Sequence, residues 1–152
     1  MAEHLRVARL YMLLLAIFTV GRWLQGAVLK TPYDRGHHVF SIVILTTLSA
    51  VYYGAFCRRW RGYRLGQAVV LGLLLGFMSQ VVIFLATFVS YALDVDTYFR
   101  APRALNVELP IPMADAMLRR TGGLVVNSIN TGIAGALGWA MGKLLPEDGR
   151  RP

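Results

Sequence analysis

Three stretches without a single charge dominate this chain: Leu65 to Leu93 runs for 29 residues, Thr121 to Gly142 for 22 and Val39 to Cys57 for 19. A bilayer core about 30 Å thick needs about 20 residues of helix, so each stretch is long enough to cross one. A fourth, Leu10 to Leu29, qualifies once Arg22 is tolerated within it. Inside lipid only helices or closed barrels satisfy the backbone's hydrogen bonds. A barrel would show alternation in strands of about ten residues, which these unbroken runs lack. A soluble four-helix core would need polar outer faces that the second and third stretches do not have. The expected fold is therefore all-α: an integral membrane four-helix bundle forming a single transmembrane domain over residues 1–152. Its spans are placed at about 10–29, 39–57, 65–93 and 121–144, with a longer outer loop at 94–120. A composition of 56% hydrophobic and 16% charged residues agrees with that class.

The basic residues set the expected threading. With the N-terminus inside, the inner segments carry nine Lys and Arg residues and the outer segments six. The positive-inside rule then puts both termini in the cytoplasm, and the expected location is a bacterial cytoplasmic membrane. The margin is modest because Arg119 and Arg120 fall outside. A net charge of +8 does not point to nucleic acid, since the cations flank the spans rather than form one binding face. The inner turn RRWRGYR reads as a topology anchor, with anionic-lipid binding at Arg58, Arg59, Arg61 and Arg64 as the alternative. The first span follows a basic start but no small-x-small cleavage pattern closes it, so it reads as retained rather than as a signal peptide. A single cysteine, Cys57, excludes an internal disulfide and multi-cysteine metal motifs.

Small residues mark the expected helix contacts. Gly72 and Gly76 on the third span, and Gly138 and Gly142 on the fourth, recur at intervals that let backbones approach closely, which matters in lipid because apolar burial cannot drive helix association there. The two seams are expected to face each other or a shared interior, with a homo-oligomer interface as the alternative.

Polar residues inside the spans form the candidate site. Arg22 lies about 10 Å below the outer end of span one, and Asn127 and Asn130 about 10–14 Å below theirs. With Gln25, Gln80 and Thr131 they are expected to form a polar layer in the outer half of the bundle. Arg22 either snorkels to the outer headgroups or turns inward to present its charge to an anion or lipid phosphate. On the outer rim, Asp34, His37, His38, Asp94 and Asp96 are weak catalytic candidates, without the spacing of a metal site. In the 94–120 connection Pro102, Pro110 and Pro112 break any long helix, while PMADAMLRR is expected to form a short interfacial helix. No metal, haem or other cofactor is implied.

Three functions follow as expectations. The first is a non-enzymatic subunit of a membrane assembly or transport system, homo-oligomeric or joined to another membrane protein, whose polar layer holds a partner, lipid or small solute. The second is a channel or carrier lined by Arg22, Gln80, Asn127 and Asn130. The third is an enzyme acting on a lipid-linked substrate through the outer histidines and aspartates.

Overall fold

The computed structural model describes residues 6–145. Its helices are α1 (Arg9–Ala27), α2 (Tyr33–Gly36), α3 (Ile42–Arg61), α4 (Leu65–Ala92) and α5 (Met113–Met141), with 3₁₀ turns at Pro102–Leu105 and Gly142–Leu144. The described residues contain no strand. Three helical stretches are long and apolar enough to cross a membrane: Arg9–Ala27, Leu65–Ala92 and Met113–Leu144. α3 has 20 residues but ends in Arg58, Arg59 and Arg61, which lowers its mean hydropathy.

Local chemistry explains the boundaries. Ser41 caps α3 by accepting a hydrogen bond from the Ile44 amide, and Gly62 ends it in the left-handed region at φ 66°, where a side chain would be strained. Arg64 and the Gln67 side chain close the first turn of α4. One expectation fails. PMADAMLRR is not a separate interfacial helix but the first turns of α5, so the connection ends at Pro112 and not at residue 120. Pro112 starts the helix and nothing between Met113 and Met141 breaks it; the charges of Arg119 and Arg120 limit depth in lipid, not helical geometry.

α5 is the helix around which the others pack. On one side Gly72 and Gly76 of α4 meet its backbone around Ser128, Thr131 and Gly132, and a Cβ added to Gly135 would lie 2.6 Å from the Ala68 carbonyl oxygen. On the other side Gly54 of α3 lies against Gly135, Gly138 lies against Val51, and Gly142 against Ala55. The expected seams therefore do not simply face each other: Gly72 and Gly76 belong to the α4–α5 contact, Gly138 and Gly142 to the α3–α5 contact. α1 joins more loosely. Its fully buried Tyr11 anchors it, with the hydroxyl 3.0 Å from Thr46 Oγ1 and 3.1 Å from the Leu75 carbonyl oxygen.

The two ends of the molecule differ. At the arginine-rich end, Arg58 stacks on the Trp139 ring at 3.7 Å and donates to the Trp139 carbonyl at 2.9 Å, while Trp139 Nε1 donates to the Tyr63 carbonyl at 2.7 Å. At the loop end, Thr97, Tyr98 and Phe99 are buried, and their strand of backbone lies directly on Gly26 of α1. Tyr98 donates to the Thr31 carbonyl at 2.9 Å, and the Thr97 and Ser90 hydroxyls lie 2.7 Å apart.

The glycine contacts predict a specific loss. Gly135→Ala forces a methyl group onto an immobile carbonyl and is expected to cost about 1–3 kcal/mol in thermal unfolding of the detergent-solubilised protein. Gly122 has nothing within 4 Å of the added atom, so Gly122→Ala is expected to be neutral or to gain about 0.5–1 kcal/mol. Equal stability of the two variants would contradict the packing described.

Candidate functional site

The loop end carries two arginines that converge without a carboxylate. Arg22, near the last turn of α1, reaches the His37 carbonyl (3.3 Å) and the Tyr33 hydroxyl (3.4 Å), and its guanidinium lies 5.6–5.7 Å from the rings of Tyr33, Tyr98 and Phe99. Arg120 approaches from α5: Nε donates to Thr87 Oγ1 at 3.0 Å, and Nη2 to the Phe99 carbonyl at 2.9 Å. Phe99 thus lies between them, its ring toward one cation and its carbonyl toward the other. Both arginines line a cavity of about 110 Å³ together with Tyr33, Ile42 and Val43. Among the described residues each guanidinium donates two hydrogen bonds out of five N–H groups. Among the described residues no acidic side chain pairs with either.

This cavity continues into two others. The next, about 280 Å³, is lined by Arg103, Arg119 and Arg120 at its top and by Gln80 and Asn127 deeper in. The last, about 80 Å³, lies between α3, α4 and α5 and is lined by Thr46, Thr47, Gln80, Asn127, Asn130 and Thr131. Tyr33, Arg120, Gln80 and Asn127 each belong to two of the three, and Val43 to all of them, so they form one cleft. Along α5 the amide of Asn127 sits about 10 Å below Arg120.

The structure divides the residues expected to form a single polar layer. Gln80, Asn127, Asn130 and Thr131 come together around the deepest cavity. Arg22 sits with Arg120 at the mouth instead, one layer higher. Gln25 is buried on α1, where its Oε1 has no partner among the described residues. Arg22 neither snorkels freely nor reaches Asn127 or Asn130: an aromatic cage and the loop carbonyl hold it beneath the 94–101 segment.

Two of the rim aspartates are engaged by arginines. Asp34 pairs with Arg103, and Asp94 pairs with Arg100 at 2.6 Å. That bond to Asp94 raises the Arg100 guanidinium above its ordinary pKa, so it stays charged. His37 stacks on Tyr33 and lies against His38, with ring centroids 3.6 Å apart. Among the described residues no three His, Cys, Asp or Glu side chains gather as a metal site requires. A groove of about 680 Å³ runs beside Asp94, Asp96, Lys30 and Arg100. It carries both signs of charge and so makes no demand for a counterion; the smaller arginine cleft does.

Arg120, Phe99 and Tyr33 were not among the sequence candidates. Helical phase was the available signal for Arg120, which stands seven residues, about two turns, before Asn127 and so shares its face. Tyr33 opens the one-turn helix α2 and Phe99 lies in a loop, and no periodicity announces how either segment folds. Comparison with known protein families, characterised proteins and solved structures yields no match for the chain.

Proposed function

We propose that the chain is a four-span membrane protein with both termini in the cytoplasm, and that it serves as a non-enzymatic binding subunit whose outer cleft receives an anionic group. The observation that carries this reading is the convergence of Arg22 and Arg120 on one cavity without a carboxylate. In surroundings poorer than water in polarity, two like charges repel more strongly, and a bound anion relieves both. Arg119 adds further positive charge at the same mouth, whereas Arg103 is paired with Asp34.

Depth supports the four-span threading. From Arg120 to Trp139 is about 28 Å along α5, close to the thickness of a hydrocarbon core. Trp139, Tyr63 and the RRWRGYR turn then lie at one interface and the arginine cleft at the other. α3 crosses the same thickness with its arginines in the inner headgroups. Binding is favoured over passage because the cleft has no continuation: below Thr131 the α3–α5 seam is shut by Gly54 against Gly135 and by Gly138 against Val51. Catalysis is not favoured, since the cleft offers cations, amides and hydroxyls but no carboxylate or histidine able to exchange a proton near neutrality.

Two measurements test this reading. Thermal unfolding of the solubilised protein is expected to shift upward with sulfate, phosphate or an anionic lipid doped into the micelle, beyond the effect of chloride at equal ionic strength, and the shift is expected to vanish in Arg22→Gln and Arg120→Gln. If no anion of this panel separates wild type from the variants, the cleft is not an anion site. For the threading, a Cys57→Ser background with Asn106→Cys is expected to react with an impermeant thiol reagent on intact cells, whereas Arg61→Cys is not. Reversed labelling would refute the cytoplasmic placement of the termini.

A further inference from the structure

We infer that the anion received by the cleft is the phosphate of a membrane phospholipid whose headgroup is anionic and hydroxyl-bearing, admitted sideways between α3 and α5. This rests on the anion-binding reading and adds the ligand's class and route. Three observations carry it.

The first is depth. With Trp139 at one interface, Arg120 lies about 28 Å away, at the opposite edge of the hydrocarbon core, where its long side chain is within reach of that leaflet's lipid phosphates. The second is the mouth. Val43 lines all three parts of the cleft yet is 50% exposed, and Thr47 and Asn130, further down the same walls, are exposed as well. The cleft therefore opens on the lateral, lipid-facing surface as well as upward. Beside that opening, Val126 and Ile133 follow Arg119 at successive intervals of seven residues on α5, both more than half exposed. They form an apolar rail on which an acyl chain packs while its phosphate stays with the arginines. A free inorganic anion needs neither the lateral mouth nor the rail.

The third is the chemistry of the walls. Arg22, Arg103, Arg119 and Arg120 face the space with a single carboxylate nearby, Asp34, already paired with Arg103. A trimethylammonium headgroup would place its cation among these charges. Hydroxyls, by contrast, find donors and acceptors in the Tyr33 hydroxyl and the amides of Gln80, Asn106 and Asn127. The size agrees: the largest part of the cleft, about 280 Å³, falls just short of the roughly 300–1,000 Å³ of sites for drug-sized ligands, which suits a headgroup whose tails remain outside.

Native mass spectrometry of the full chain, released from micelles containing equal phosphatidylglycerol and phosphatidylcholine, tests this. One phosphatidylglycerol is expected to be retained about tenfold or more over phosphatidylcholine, and Arg120→Gln is expected to weaken it about ten- to hundredfold. Because Arg120 also holds the Phe99 carbonyl, a second variant leaves both the core and the cleft lining untouched: Val126→Ser, at an exposed position outside the cleft, removes the upper step of the apolar rail. It is expected to cut lipid retention while leaving the thermal shift by inorganic phosphate unchanged. Equal retention of the two lipids, or phosphatidylglycerol retention indifferent to both variants, overturns the inference. Stabilisation by inorganic phosphate without lipid retention also overturns it but leaves the anion site standing. If neither probe binds, both readings fall.

Discussion

The structure depends on how closely helix backbones approach along α5. In lipid, apolar side chains gain nothing by leaving their surroundings for each other, so association relies on close packing and on hydrogen bonds between helices. Glycine supplies the packing in the lower two-thirds, where Gly72, Gly76, Gly135 and Gly138 bring neighbouring backbones into contact. Above Thr131 the character changes. Asn127, Gln80 and the arginines replace glycine on the facing walls, and the space between the helices widens into the cleft. Site and scaffold are thus two parts of one seam, divided by which residues occupy it.

At the top of that seam the electrostatics are unbalanced by design of the fold. Arg22 is fixed by aromatic rings and a loop carbonyl, and Arg120 by a threonine hydroxyl and a second loop carbonyl; these contacts orient the guanidinium groups but do not neutralise them. On the same rim Asp34 is engaged with Arg103 and Asp94 with Arg100. A charge at membrane depth is costly unless paired, and that cost is the physical basis for the proposed anion. The buried Thr97–Phe99 segment matters here because it supplies a carbonyl and two of the three rings, tying the loop to both arginines.

Much of the scaffold was legible before the structure. Uncharged runs located the long helices to within a few residues, because hydropathy and length are local properties. α5 starts eight residues before the expected 121, because the uncharged run stops at Arg120 while the helix continues through PMADAMLRR. Read as part of the connection, Arg120 stays hidden from the site, although it shares a face with Asn127. Helical phase and depth suffice to put Gln80, Asn127, Asn130 and Thr131 at one level, and these four line one cavity. Arg22 was singled out but given the wrong neighbours: its companions come from the 33–38 and 97–99 segments, whose positions follow from tertiary hydrogen bonds such as Tyr98 to Thr31 and leave no periodic trace.

The central claim is that a lipid phosphate bridges Arg22 and Arg120. Solid-state NMR of the protein with ¹⁵N-labelled arginine in phosphatidylglycerol bilayers measures this through the dipolar coupling between guanidinium nitrogens and lipid ³¹P. Strong dephasing of the Arg22 and Arg120 signals, lost in the corresponding Gln variants, is the result predicted. Dephasing confined to the RRWRGYR arginines, with Arg22 and Arg120 unaffected, would contradict it.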